Sequence, residues 1–398
     1  MKMRIKSRRS SPVWRFGSSR RGATVTLAAF LLAVLVGMLA FGIDIGYATA
    51  SRSELQRTAD SAALAGGWQL LEGIANAETM SSVSTKINNA VVNYAHENPL
   101  GGKPAKVGGE GETQDVTVGY FDWSTNKWTG AVSDMNTANA VRVRIRRNEE
   151  INGSVPLFFG PIFGRKSLDM QVNAVAAMTA RIGGFDIISP ECENVMLMPF
   201  AMDEPTWDAM MKGQAGNDDY SYNELTGVLT KGKSDGVREV NLYPDAEATG
   251  APGNRGTVDI GGLNNSTSDI ERQILHGISY DDMQALKATG RSLELDSKGF
   301  LYLQGDTGIS AGVKEEVAAI VNEVRCIPIF RDVTLNGNSA EFQIIGWEGV
   351  RILEVRLTGP MNQKRLIVQP AKMVMHGAIP SSTARVSSFA FTPVVLVQ

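Results

Sequence analysis

Residues 23–43, ATVTLAAFLLAVLVGMLAFGI, form an apolar run that contains no charge. At 1.5 Å per residue such a run reaches about 31 Å as a helix, roughly the hydrocarbon thickness of a bilayer. It predicts a single transmembrane helix. The helical pattern does not stop at Asp44. Ile45, Ala48, Leu55, Ala59, Ala62 and Gly66 recur close to a 3.6-residue period, with no proline between 44 and 71. The helix is therefore expected to leave the membrane and continue as a stalk with an Ala/Gly packing face. Such a face lets a partner helix approach closely, but packing against the chain's own ectodomain is the first expectation. Residues 72–97 extend the helical pattern, with Val83, Ile87, Val91 and Tyr94 on one face. Pro99 and the glycines at 101, 102, 108 and 109 then mark a loop.

Period-two patterns follow. Residues 114–130 alternate around Ser124-Thr125-Asn126-Lys127 and predict a hairpin. Within 139–147, Val141, Val143 and Ile145 face one way and Arg142, Arg144 and Arg146 the other. An arginine row can bind an anion, but more often it is the solvated, edge-protecting face of a strand. Residues 171–180 read as another strand. The region 186–250 is loop-rich, and from 200 onward it is polar with weak periodicity. Its segment GNDDYSYNELTG (216–227) lacks the glycine and glutamate that a calcium loop needs at its sixth and twelfth positions, so it reads as a solvated loop.

Order returns from 251 to 379. Residues 268–290 predict two short helices ending near Gly290. Leu293–Leu295 and Phe300–Leu303 flank Asp296-Ser297-Lys298-Gly299 as a second hairpin. Gly312–Arg325 reads as an amphipathic helix with Val313, Val317, Ile320, Val321 and Val324 buried. It feeds the strand CIPIF, and segments rich in β-branched residues follow the turn Asn336-Gly337-Asn338. The expected fold class is α+β. A basic segment (1–22) and the transmembrane helix (23–43) lead into stalk helices (44–98) and a β-rich domain (114–185). After the loop-rich region come an α+β C-terminal domain (251–379) with a mixed or antiparallel sheet and a tail (380–398), whose FAFTPVVLVQ can add a strand.

Charge gives the span a direction. Residues 1–22 hold eight basic residues and no acid. This asymmetry predicts a cytoplasmic N-terminus and an extracytoplasmic bulk. Ala48-Thr49-Ala50 offers a signal-peptidase site, but a secretory apolar core is only about 7–15 residues long. Arg20-Arg21 offers a twin-arginine start, without the bulky apolar residue expected after it. A retained anchor is expected. Beyond residue 22 the chain has 31 basic and 42 acidic residues, a net charge of −11. An acidic ectodomain argues against nucleic-acid binding, whose footprint is basic. The two cysteines, Cys192 and Cys326, lack CxxC neighbours. Outside the cytoplasm they can form one disulfide; the alternative is two separate thiols.

The flanks of the span are more specific. Arg20-Arg21-Gly22 precedes it and Asp44-x-Gly46 stands at its exit. Leu55-Gln56 and Ala59-Asp60-Ser61-Ala62-Ala63-Leu64-Ala65-Gly66 lie on the stalk. Together these resemble the bacterial Flp-pilus-assembly TadE/TadG-like family. VGYFDWSTNKW (118–128) resembles that family's hairpin, and VPLFFGPIFG (155–164) resembles its link into a small-residue strand. APGNRG (251–256) and the 305–379 block resemble its C-terminal parts. The resemblance implies a single-span inner-membrane protein with a periplasmic domain, associated with tight-adherence (Tad) pilus assembly and secretion. The D-x-S-x-S metal motif of larger relatives is absent, so metal-dependent adhesion is not expected. Gly22 is followed by Ala-Thr-Val-Thr-Leu, without the acidic residue of prepilins, so pilus-subunit status is not expected either.

No catalytic, cofactor-binding or metal residues are expected. His96, His276 and His376 lie in separate segments without metal-ligand spacing, and no GxSxG elbow or Walker A loop occurs. Asp218-Asp219 and Asp281-Asp282 are neighbours whose side chains diverge in regular structure. The sequence predicts a non-enzymatic, membrane-anchored component of Tad/Flp pilus assembly or associated secretion, working through protein–protein contacts. Self-association is an open possibility; Ala29, Ala33 and Gly37 form a small-residue face in the span, but such residues are common in spans and an incidental face is the first expectation. One alternative is an exported surface-ligand or adhesion module using Tyr120, Phe121, Trp123 and Trp128, for which cross-strand packing is the competing role. The other is an extracytoplasmic hydrolase in which His276 or His376 meets an acid and a nucleophile.

Overall fold

The structure, a computed structural model, describes residues 21–76, 78–108, 114–135, 137–224, 226–243, 256–261, 266–306, 309–334 and 340–397. The basic segment up to Arg20, residues 251–255 of APGNRG and the turn Asn336-Gly337-Asn338 lie outside the described residues. By its contacts the chain divides into two compact units, Met1–Leu55 with Arg146–Gln171 and Gln56–Ile145 with Val172–Gln398.

Helix α1 (Arg21–Ala75) runs unbroken for 55 residues from the apolar run into the stalk. It ends before the expected continuation. The hydroxyl of Thr79 accepts the Ser82 N–H and caps a separate helix, α2 (Met80–Glu97). Helix α2 buries Val83, Ile87, Val91 and Ala95, a strict i+4 row. Tyr94, expected on this face, is exposed because it stands one residue, roughly 100°, off that row.

Strands β1 (Val116–Asp122) and β2 (Lys127–Ala131) form the expected antiparallel hairpin. Asp122 accepts the Ser124 N–H at 2.8 Å, and Asn126 takes the left-handed conformation with φ 57°. Strand β3 (Ala140–Arg147) pairs with β1. Strands β4 (Val155–Pro156) and β5 (Ser167–Leu168) pair with each other and close the loop 157–166. Strand β6 (Met170–Ala177) lies beside β3 in a five-stranded sheet that the last strand of the chain completes.

Strand β7 (Ile182–Phe185) precedes β8 (Phe200–Asp203) and α3 (Glu204–Met211), which Asp203 caps. Strands β9 (Tyr220–Asn223) and β10 (Val228–Lys231) form their own hairpin over the segment read as a solvated loop. Then come β11 (Val240–Asn241) and β12 (Gly256–Val258). Helices α4 (Thr267–His276) and α5 (Tyr280–Ala288) form as the periodicity predicts. Next are β13 (Leu301–Asp306), α6 (Lys314–Ala319), β14 (Val324–Thr334), β15 (Ala340–Arg356) and β16 (Arg365–Pro370).

These build a sheet of order β11-β16-β15-β13-β12-β8-β14, and β14 also pairs with β15. That extra pairing closes β15, β13, β12, β8 and β14 into a five-stranded barrel. Only the β8–β14 pair in this ring is parallel. Its residues divide between two cores. Ala201, Val258, Leu303, Phe342 and Ile344 share one. Phe200, Met202, Ile327, Ile329 and Ile352 share the other, with Trp207, Ile274 and Val317 from α3, α4 and α6 packed there. The α+β class follows: α3, α4 and α6 pack into one core of a largely antiparallel sheet, and Met283 and Leu286 of α5 join the other.

Three local expectations give way to long-range pairing. The helix expected over 312–325 is only a 3-10 turn plus α6, because Asn322 (φ 80°) turns the chain and Val324 joins β14 opposite Arg351. Val313, Val317 and Ile320 are buried as the amphipathic pattern predicts. The turn at Asp296–Gly299 forms, but its flanks do not pair as a hairpin: β13 pairs with β12 and β15. Leu293 and Leu295 instead bond to β7, through Phe185 N to Leu293 O at 2.9 Å and Leu295 N to Gly183 O at 2.6 Å. The stretch read as a tail is woven in. Strand β17 (Met373–Val374) pairs parallel with β19 (Ala390–Phe391), β18 (Ala378–Pro380) pairs with β7, and β20 (Val395–Leu396) pairs with β6.

Candidate interaction surfaces

Among the described residues, α1 is the one helix long and apolar enough to cross a membrane. Between Thr24 and Ile43 its side chains are exposed except at Gly37 and Ala40. So long an apolar surface is unfavourable in water and favourable in lipid. Asp44 ends the run, yet it is only 9% exposed. Its Oδ1 accepts the backbone N–H of Phe158 at 2.7 Å, and its Oδ2 accepts that of Phe159 at 3.1 Å. The ring of Tyr47 meets the ring of Phe158 edge-on, with centroids 5.3 Å apart. Thus Asp44-x-Gly46 and VPLFFGPIFG, read as separate motifs, form one assembly.

The stalk's small residues pack on the chain itself. A Cβ at Gly67 would stand 2.5 Å from Val394 Cγ1 and 3.3 Å from Ala176 Cβ. One at Gly66 would stand 3.0 Å from Val141 Cγ1 and Val91 Cγ2, and one at Gly73 2.3 Å from Val83 Cγ2. Ala59, Ala62 and Ala63 are fully buried beside them. Ile45, expected on this face, is exposed. The stalk helices turn Trp68, Val92 and Tyr94 outward.

Three of the hairpin aromatics, Phe121, Trp123 and Trp128, pack as a small core, while Tyr120 is exposed and with Trp123 lines a cavity of about 1200 Å³. Phe121 is fully buried, meets Trp123 edge-on at 5.2 Å, and packs with Ala140, Val175 and Ala177. In the arginine row, Arg142 lies over the Trp128 ring at 5.0 Å, and Arg144 Nε donates to Asp115 Oδ1 at 2.9 Å.

The groups weighed for chemistry are dispersed. His376 Nε2 stands 3.3 Å from Glu193 Oε2 at the surface, and Asn194 Nδ2 donates to the His276 carbonyl at 2.9 Å. Cys192 is exposed and Cys326 buried, both as free thiols. Burial pushes the Cys326 thiol well up. Asp281 points outward, whereas Asp282 is buried against Arg272 and forms a capping box with Ser279. Asp218 accepts the Asp235 and Gly236 N–H groups at 3.1 Å.

Sequence reading missed a charged cluster on β15. Glu354 accepts from Arg365 Nε at 2.7 Å, from Lys231 Nζ at 2.5 Å and from the Tyr220 hydroxyl. Burial raises its carboxyl, but these donors outweigh burial and hold it down to about 2. The cluster lines a cavity of about 1090 Å³ together with Asp203, Glu239 and Arg331. Its charges satisfy one another and tie the β9–β10 hairpin to β15 and β16. A second acid on β15, Glu348, is buried and accepts from Ser387 Oγ at 2.6 Å and Arg385 Nη1 at 2.9 Å. The signal for both was present: Glu348 and Glu354 interrupt the apolar stretches of β15, a strand that also carries Glu341, Gln343, Arg351 and Arg356.

Comparison with known families places the N-terminal part of the chain. Residues 22–69 match the TadE/G-like Flp pilus-assembly family, and residues 53–176 match the Tad-like Flp pilus-assembly family. No curated protein and no solved structure matches the chain. The matched stretch contains the span, the stalk, Asp44 and the loop that Asp44 holds. Over residues 22–176 the chain is thus similar to Flp pilus-assembly families, TadE/G-like in its first part and Tad-like in the rest.

Proposed function

We propose that this chain is a single-pass inner-membrane component of Flp pilus assembly or its associated secretion, with its bulk in the periplasm. It acts through protein–protein contacts and not by catalysis. The observation that carries this reading is the unbroken α1, which joins an exposed apolar run to a stalk within the family-matched segment. The stalk's small face is already occupied by the chain's own valines, so contacts with other proteins fall to its outward residues, Trp68, Val92 and Tyr94. Large aromatic residues are the ones that carry binding energy at interfaces. The basic residues before the span favour a cytoplasmic N-terminus.

Photo-crosslinking in cells from positions 68 and 94, combined with gene deletion and alkaline extraction of membranes, tests the reading. Adducts with pilus-assembly or secretion proteins are expected, with loss of piliation or secretion on deletion. A chain recovered in the soluble fraction, or a deletion that leaves piliation and secretion unchanged, overturns it.

A further inference from the structure

The loop 157–166 presents an apolar tip at the exit of the span. Phe158, Ile162 and Phe163 are 65%, 75% and 69% exposed. A contiguous tip of three large apolar side chains marks a surface that something covers. The loop is shaped rather than slack. Strands β4 and β5 close its base, and a 3-10 turn spans Gly160–Phe163.

Three observations on this unit identify the cover as lipid. The first is position. Asp44, which holds the Phe158 and Phe159 amides, is the residue directly after the apolar run. Ala40, one helical turn further into the run, is also buried, whereas Ala28, Ala29 and Ala33 are exposed. Ala40 lies about 6 Å along the helix from Asp44, so burial on this helix extends from the exit of the run into its apolar end. The second is that most of the loop's backbone donors are satisfied, which lowers the cost of entering a low-dielectric layer. The N–H groups of Leu157, Phe158, Phe159, Ile162, Gly164 and Arg165 all donate, to the Lys166, Phe159, Pro161 and Gly160 carbonyls or to Asp44, and Pro161 has none to offer. The third is charge. Arg165 and Lys166 follow the apolar tip and are exposed, the order found where side chains meet a headgroup layer.

We propose that residues 157–166 form a second, non-spanning membrane contact. Phe158, Ile162 and Phe163 insert into the leaflet where the span exits, and Arg165 and Lys166 lie among the headgroups. Clipped to Asp44, this contact sets the depth and rotation of α1 at its exit. The inference rests on reading α1 as a membrane span, so the test probes both.

The full chain carrying Cys192→Ser is reconstituted into phosphatidylcholine vesicles containing phosphatidylglycerol. A single environment-sensitive fluorophore is placed at Phe163→Cys or, separately, at Leu35→Cys; Cys326 is buried and stays unlabelled. Doxyl-labelled lipids serve as the quencher. We expect both positions to be blue-shifted and strongly quenched, with position 163 quenched best by shallow doxyl groups. Quenching at 35 without quenching at 163 overturns the loop contact and leaves the span intact. A blue shift at 163 without quenching assigns the tip to a protein surface and also overturns it. Absence of quenching at 35 overturns the span reading and the loop contact with it.

Discussion

Asp44 holds Phe158 across 114 residues of chain, its Oδ1 accepting the Phe158 backbone N–H at 2.7 Å. Oδ2 takes the Phe159 N–H at 3.1 Å, so one carboxylate satisfies two amides that the 3-10 turn leaves without carbonyl partners. Asp44→Ala orphans both donors at a cost of about 1–3 kcal/mol each. The expected outcome is local opening of loop 157–166, read as faster hydrogen exchange at the Phe158 and Phe159 amides. Asp44→Asn keeps an acceptor and loses less. Unchanged exchange in the alanine variant would show that the loop is ordered without the clip.

Gly67 is a steric requirement, not a helix weakness. Its absent side chain is where Val394 sits, 2.5 Å from the Cβ position. Gly67→Val is expected to destabilise the full chain in detergent by about 1–3 kcal/mol through overpacking. Gly46, on the same helix, has nothing within 4 Å of its Cβ position. Gly46→Ala should be neutral or stabilising, by up to about 1 kcal/mol, from helix propensity. Denaturant midpoints of the two variants check the contrast.

Glu348 makes part of the stability pH-dependent. Burial is the main cause that lifts its carboxyl from 4.5 to about 6, against the donors Ser387 and Arg385. An acid whose folded pKa is raised binds its proton more tightly when folded. Its stabilising contribution is fully present below the unfolded value and is lost as pH rises through about 6. The stability difference between wild type and Glu348→Gln should therefore fall by on the order of 2 kcal/mol between about pH 4 and pH 7. A difference that stays flat over this range would contradict the buried-acid account.

The two thiols should differ sharply in reactivity. Cys192 is exposed, whereas Cys326 is fully buried in β14 with its thiol pushed up. A membrane-impermeant maleimide is expected to label Cys192 in spheroplasts and to leave Cys326 unlabelled until the chain is unfolded. Labelling of Cys192 only after membrane lysis would place it on the cytoplasmic side and reverse the proposed topology. Resistance of Cys192 to labelling until reductant is added would point to a disulfide.

Much of this architecture was legible as local pattern. The unbroken α1 follows from an apolar run and an Ala-rich stalk without proline. The β1–β2 hairpin follows from alternation around a turn that Asp122 and Asn126 can build. Helices α4 and α5 follow from their periodicity and from serine caps at Ser266 and Ser279. The failures lie where two pairings compete for one segment. At Leu293–Leu295 strand β7 displaces the local hairpin, and at Val324 strand β15 ends the helix. Neither partner can be found by looking a few residues along the chain.

The candidate surfaces divide along the same line. The sequence by itself determined the membrane-length span, its basic flank, the small-residue stalk and the family signature, because each is a property of neighbouring residues. Tertiary structure alone decided that the small face is filled by Val394, Val141 and Val83, and that β14 closes a barrel on β15. It also decided that Asp44 holds the loop at Phe158. The contacts of Gly66 with Val141, of Gly67 with Val394 and of Asp44 with Phe158 join residues 75, 327 and 114 positions apart. They depend on chain closure and packing, which no local spacing encodes.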